Sequence, residues 1–392
     1  MKPPPPLDTD YLESLLLRLL EIHSPTGYTD PIVREVCGEL DRLGVEYELT
    51  RRGAIRATLP GRRNSPDRAV IAHLDTLGAM VAELLPHGRL RLVPVGTWSS
   101  RFAEGGRVSV FSEDCIHRGT VLPRKASGHV FDEEVDRQPI AWEQLELRID
   151  ERVESAEDLR ALGVEVGDFV GFDAGAEILP NGFINARHLD DKAGVAALLA
   201  AVRALREDGG ELPVDLHVLF TISEEVGSGA SAVLHGDVAE MVTIDNGTCG
   251  PGQASREHGV TLAMADSSGP FDYHLTHHLL HLCRNAGIPH QRDVFRHYRC
   301  DSASALDAGN DIRTALVAFG LDASHGYERT HRAALLEVAR LITVYAASPL
   351  LFEDQGTGLG TLEEFPETRE VPLPATTQDP SKRVVQETPE PE

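Results

Sequence analysis

Arg187 to Val195 reads RHLDDKAGV, and the adjacent carboxylates Asp190 and Asp191 inside it decide how the rest of the chain is read. They stand just before Gly194 to Leu205, whose apolar spacing predicts a long helix. Two neighbouring carboxylates at the entrance of a buried helix are costly unless a cation or hydrogen-bond donors meet them. A pair of helix-capping acids would also account for them. The choice between a cap and a cation site depends on what the chain brings to the same place.

Outward from this stretch, the pattern alternates between strand and helix. Ala69 to His73 is a short continuous apolar run, as suits a strand covered on both faces. Val214 to Ile222, Met241 to Asp245 and Thr314 to Phe319 read as further strands, with helices from about Ala230, over Asp272 to Ala286 and over Arg332 to Ala346. Near the N-terminus, Leu12, Leu15, Leu16, Leu19 and Leu20 recur at helical spacing after Asp8 or Thr9 as cap. A second helix has Asp30 as N-cap, Pro31 at its first position and Gly44 just past its end. Val45 to Thr50 and Ala54 to Leu59 follow as strands. This alternation predicts the α/β class.

From Gly78 to Pro180 the character changes to short alternating runs broken by Gly, Pro and Asp, among them Val108 to Phe111, Gly119 to Leu122 and Leu145 to Ile149, a small all-β module. The expected division is therefore residues 1–76 and 184–350 as two parts of one catalytic domain, 77–183 as an inserted β-rich domain, and 351–392 as an acidic, proline-rich tail expected to be disordered. Pro3 to Pro6 suggest an extended arm ahead of the first helix.

Composition narrows the function classes. A formal charge of -25 argues against a nucleic-acid partner, which needs a basic surface. No apolar run approaches the roughly 20 residues needed to span a bilayer, so no membrane partner is expected. The start, MKPPPPLDTDY, has no apolar signal core, and the expected location is cytoplasmic. Five scattered cysteines without a C-x-x-C pair read as reduced thiols.

Open α/β sheets place ligand sites beyond the carboxyl ends of their strands, and the candidate residues fall there. His73 ends the Ala69 to His73 run, with Asp75 two residues on and positioned to hold the second imidazole nitrogen. Glu224 and Glu225 follow the Val214 to Ile222 strand, where adjacent side chains diverge, so that one can ligate a metal while the other reaches an attacking water. Asp245 ends its strand, and His325 lies in the loop after Thr314 to Phe319. Each motif alone also reads as a capped strand or helix end; their joint occurrence points to a dinuclear metal centre. Imidazole with carboxylate suits zinc, with cobalt or manganese also compatible. His277, His278 and His281 fall in a helix and are set aside; His188, close to Asp190, is kept in view but outside the ligand set, and His331 is a secondary candidate. Asp301-Ser302-Ala303 is expected to be a loop lining the site.

The segments AHLDTLG (72–78), INARHLDDKAG (184–194), FTISEEVGSGA (220–230), TIDNG (243–247), CDSAS (300–304) and DASHGYE (322–328) together resemble the co-catalytic dinuclear metallo-aminopeptidases, the family of glutamyl aminopeptidase and the tetrahedral aminopeptidases. An insert between Asp75 and Asp190, rather than later, distinguishes that family from related carboxypeptidases and deacylases. The resemblance implies a mixed central sheet flanked by helices, with the β-rich insert serving oligomer contacts. It further implies that His73 and Asp245 bind one metal ion, that Glu225 and His325 bind the other, that Asp190 bridges both, and that Glu224 is the general base. The Asp190–Asp191 peptide bond is implied to be cis. Lys192 in place of Arg, Ser228-Gly229, and Gly326 in place of Ser depart from the family pattern without touching a presumed ligand.

The resemblance thus leads to a two-metal aminopeptidase that removes the N-terminal residue of short peptides and assembles with copies of itself, anywhere from a dimer to a dodecamer. The chain is most similar to a bacterial subgroup associated with the osmoprotectant N-acetylglutaminylglutamine amide, so a short peptide amide is a candidate substrate. Two alternatives are a deacylase or dipeptidase acting on a blocked peptide amide and a peptidase-like binding protein without turnover.

Overall fold

The structure is a computed structural model that describes residues 5–351. Its central strand, Asp67–His73, is buried along its whole length. With both faces covered, the run Ala69, Val70, Ile71 and Ala72 is apolar without alternation. Leu216–Thr221 and Val238–Thr248 pair with it in parallel on either side, and Arg313–Leu321 runs parallel to Val238–Thr248 beyond. Ile55–Leu59 and Glu46–Leu49 extend one edge antiparallel. Val260–Asp266, antiparallel to Arg313–Leu321, carries His290–Val294 and Gly269–Pro270 at the other edge. The sheet is therefore mixed, with nine strands. Thr221 lies beside His73 and Asp245 beside Ala318, which brings the carboxyl ends of the parallel strands to one rim.

The helix Leu189–Asp208 is buried from Leu189 to Val202 and ends at Gly209 in the left-handed conformation, φ 61°. A helix without a polar stripe must be covered all round. It packs on Asp67–His73 and Val238–Thr248 and against the helices Thr9–Glu21 and Arg332–Ala347. Its alanines allow that close approach. Asp190 and Asp191 have non-helical backbone angles, so the regular helix begins only after them.

Between the central strand and this helix the chain forms a closed antiparallel barrel in the spatial order Gly78–Leu84, Leu90–Val95, Leu145–Ile149, Ile116–Pro123, Arg107–Phe111, Phe169–Phe172. Alternate residues such as Leu90, Leu92, Val108, Val110, Leu145 and Leu147 fill its interior. Closure leaves no free strand edge within the barrel. A short sheet of Glu177–Ile178, Phe183–Ala186 and Glu328–His331 then ties the chain leaving the barrel to the segment after His325, with Ala186 opposite Glu328.

Several expectations need correction. No helix runs on from Ala230; Gly229–Ala232 is a single 3-10 turn, and the chain turns away at Gly236, φ 68°, before a second turn forms. Asp301-Ser302-Ala303 is not a loop but the first turn of the helix Asp301–Asp307. Val238–Thr248 runs past Asp245 rather than ending there. The second helix already includes Asp30; Thr29 takes the N-cap position, without a side-chain capping bond. The strands Val260–Asp266 and His290–Val294 are additions; the second, HQRDV, is a polar edge strand with almost no apolar signal. The tail expected to be disordered lies, beyond Leu351, outside the described residues, as do Pro3 and Pro4 of the expected arm. Among the described residues no helix is long and apolar enough to cross a membrane, and all five cysteines are unpaired.

A fully buried arginine fastens the C-terminal helix to the sheet. Arg68 forms an ion pair with Glu240 at 2.9 Å and lies over the Tyr345 ring, 4.4 Å from its centre. It also donates to the carbonyls of Tyr345 and Ser348. Tyr345 in turn donates to Glu240 at 3.0 Å. Removing one partner leaves the other buried and uncompensated, so Arg68→Met should lower the free energy of guanidinium unfolding by about 3–5 kcal/mol. Adding Glu240→Gln to that variant should recover a large part of the loss.

Candidate metal centre

His73, Asp190, Glu224, Glu225, Asp245 and His325 converge at the rim where the parallel strands end. The ligand atoms of His73, Asp190 and Asp245 lie within 4.8 Å of one another, and so do those of Asp190, Glu225 and His325. Asp190 belongs to both groups. Its Oδ1 is 3.2 Å from His73 Nε2 and its Oδ2 is 3.5 Å from His325 Nε2. Glu224 belongs to neither; its carboxylate is 3.8 Å from His73 Nε2. The Asp190–Asp191 peptide bond is cis.

Each imidazole is oriented by a backbone carbonyl. His73 Nδ1 donates to the Asp75 carbonyl at 2.9 Å, and His325 Nδ1 donates to the Thr97 carbonyl at 3.0 Å. A carbonyl only accepts, so Nδ1 carries a hydrogen in both rings and Nε2 is the atom turned toward Asp190 and available to a cation. Thr97 belongs to the segment after barrel strand Leu90–Val95, so the barrel orients one of the two histidines. His325 itself sits at φ 66°, in the left-handed region. That turn is held by its amide donating to Glu328 at 2.9 Å.

The expectation for Asp75 changes. The tautomer of His73 is fixed by its backbone carbonyl, while the Asp75 carboxylate lies 3.7 Å from the ring. That carboxylate accepts from Thr26 Oγ1 at 2.7 Å and from the amides of Glu224 and Glu225 at 3.1 and 3.3 Å. It thus pins the turn that carries both glutamates. Asp191 accepts the His73 amide at 3.2 Å. A Cβ at Gly194 would come within 2.1 Å of the Asp191 carboxylate, so any larger residue here would have to displace that side chain.

Three contributors were not singled out from the sequence. Glu328 accepts from the amides of Leu189 and Asp190 at 2.8 and 3.2 Å as well as from that of His325, tying the two halves of the centre together. Its only sequence signal is a glutamate three residues after His325 within the DASHGYE motif. Asn246 donates to Asp190 at 2.7 Å and to Asp245. The Thr97 carbonyl leaves no side-chain signal at all. Conversely, His188 donates to the Phe172 carbonyl, and His331 donates to the Asn181 carbonyl and caps the last helix, so both are engaged away from the two ligand groups. His277, His278 and His281 lie on the helix Tyr273–Ala286, outside both groups.

The charges in the cluster are strongly coupled to burial. Burial, reinforced by neighbouring carboxylates, pushes Asp191, Glu224 and Asp245 well above the usual carboxylate range. It pushes Glu225 up to about 7, Asp301 to about 6 and Glu328 to about 8. Burial also works against the charge on Asp190, but His325 and His73 hold it well below its ordinary value. Burial likewise opposes protonation of the two rings, yet Asp190 and its neighbours carry His73 far above its ordinary value and His325 to about 10. The carboxylates of Asp190, Glu224, Glu225 and Asp245 outnumber the two imidazoles that face them out of water, an excess of negative charge that divalent cations would relieve. Nitrogen and oxygen donors in this mixture fit divalent metal ions.

The family model of the M42 glutamyl aminopeptidases matches residues 53–341. Among individual relatives, a putative aminopeptidase of Bacillus subtilis (strain 168), YhfE, is 37% identical over 86% of this chain and 97% of its own length. The lysyl aminopeptidase of Pyrococcus furiosus is 25% identical over 54% of this chain and 59% of its own. Among solved structures, the Pyrococcus horikoshii TET1 peptidase, described as able to assemble into a tetrahedron or a large octahedral shell, superposes with a TM-score of 0.76 at 25% identity, covering 86% of this chain and 99% of that one. A TET aminopeptidase from a marine sediment archaeon shares the fold with a TM-score of 0.78 at 19% identity, over 86% of this chain and 96% of that one. With its motifs, its mixed sheet and its inserted barrel, the chain belongs to the M42 glutamyl aminopeptidase family of metallo-aminopeptidases.

Proposed function

We propose that this protein removes the N-terminal residue of short peptides at a dinuclear centre where His73 and Asp245 would hold one divalent ion, Glu225 and His325 would hold the other, and Asp190 would be shared by both. The observation that carries this reading is the membership of Asp190 in both ligand groups, with an imidazole facing each of its oxygens. Zinc is the ion that the donor set suits best, with cobalt or manganese compatible. Ions held there would supply Lewis acidity toward the scissile carbonyl and lower the pKa of water.

The remaining chemistry belongs to the chain's own residues. Glu224 stands at the centre without belonging to either group, and burial raises its proton affinity as a general base requires. It takes the proton of the attacking water and returns it to the leaving amine. Asp75 acts as a positioning residue, holding the amides on which Glu224 and Glu225 depend. Residues 1–76 and 184–350 make up the catalytic domain in this reading, and the insert 77–183 serves contacts between copies in a cytoplasmic homo-oligomer. The shell-forming TET1 relative supports that last part. The subgroup likeness keeps an osmoprotectant peptide amide among the candidate substrates; cleavage of N-acetylated but not free Gln-Gln amide would replace the aminopeptidase reading with the deacylase one.

Glu224→Gln should keep its metal by elemental analysis while turnover falls by about 10²–10⁴-fold; full activity in that variant would remove Glu224 from the base role. Asp190→Ala should lose metal occupancy at both positions. Glu328→Gln, which keeps one acceptor atom where the backbone uses two, should weaken metal affinity by about 10–100-fold in a chelator competition.

A further inference from the structure

A narrow cleft lies between the barrel and the metal centre, with Leu77, Trp98 and Phe172 on the barrel side and Arg187, Glu225 and His325 facing them. Its walls are fixed. Trp98 meets the Phe172 ring edge-on, 5.0 Å between centres, and donates its indole hydrogen to the Gly78 carbonyl at 3.1 Å. The Arg187 guanidinium lies over the Phe172 ring at 6.0 Å, and its backbone amide donates to the Ala174 carbonyl at 2.9 Å.

Arg187 is half-buried, yet among the described residues no carboxylate comes within ion-pair distance of its guanidinium. Burial is the larger influence on it, pulling its pKa down, and attraction to Glu328 does not offset that. Glu328 could have been its counter-charge, but both of its carboxylate oxygens are committed to the amides of Leu189, Asp190 and His325. A partly desolvated guanidinium whose planar fork meets no carboxylate among the described residues matches a carboxylate arriving with a ligand.

We propose that Arg187 is a specificity-determining residue of this cleft that receives a carboxylate of the substrate, carried either by an acidic N-terminal side chain or by the C-terminus of a dipeptide. The assignment rests on the peptidase reading above. Both sources present the same group to the same fork, and isosteric substrate pairs tell them apart. Glutamyl and glutaminyl p-nitroanilide differ only in the side-chain charge; Leu-Gly and Leu-Gly amide differ only in the terminal charge.

In the zinc-loaded wild type, one pair should favour its carboxylate member by about tenfold in kcat/KM. Arg187→Met should bring that ratio to near one, and Arg187→Lys, which keeps the charge but not the fork, should give an intermediate ratio. The ratio within each pair is the readout, so a general loss of activity or stability does not imitate the result. The same four compounds titrated calorimetrically into the Glu224→Gln protein should show the same charge preference in Kd. Turnover without a preference in either pair, or a preference that survives Arg187→Met, overturns the role of Arg187. Absence of turnover on all four compounds overturns the peptidase reading instead, and the calorimetric preference then still decides the carboxylate assignment.

Discussion

A carboxylate taken out of water must be compensated, and Asp190 sits at 5% exposure with an imidazole facing each of its oxygens. Much of the neighbouring structure serves that one constraint. The parallel strands deliver His73 and Asp245 to the same rim, the buried helix starts only after the two aspartates, and Glu328 fastens the Asp190 and His325 amides to each other. The supporting hydrogen bonds come largely from backbone. That choice suits a rigid centre, because main-chain groups within a sheet and a packed helix lose little further freedom on being fixed.

The barrel is more than an appendage to this centre. The Thr97 carbonyl orients His325, and Trp98 and Phe172 form one wall of the adjoining cleft. A closed barrel with its own apolar interior is a stiff body from which to make such contacts. Relatives that match this chain include enzymes named for glutamyl and for lysyl substrates. A family that keeps its ligand motifs can vary selectivity in the wall around them. In this chain that wall includes Arg187, a cation with no carboxylate at ion-pair distance among the described residues.

Legibility differed sharply between elements. The strand Asp67–His73 and the helices Thr9–Glu21 and Arg332–Ala347 came through to within about two residues, because burial on a known period leaves a strong apolar pattern. The edge strand His290–Val294 did not, since a polar edge carries no such pattern. The expected helix at Ala230 failed for another reason. The segment has room for only the 3-10 turn Gly229–Ala232 before Gly236, φ 68°, redirects the chain into the strand Val238–Thr248.

The sequence by itself determined which residue types gather near the carboxyl rim of the sheet, the α/β class, the place of the insert and the family. His73, Asp190, Glu224, Glu225, Asp245 and His325 are all visible there, because an ionisable residue after an apolar strand stands out against its surroundings. Only the tertiary structure decided how they are held. It moved Asp75 from the imidazole to the glutamate turn, brought in Glu328 and Asn246, and made a barrel carbonyl the partner of His325. Those contacts run through backbone groups, which every residue carries alike, so the fold alone selects which amide meets which carboxylate.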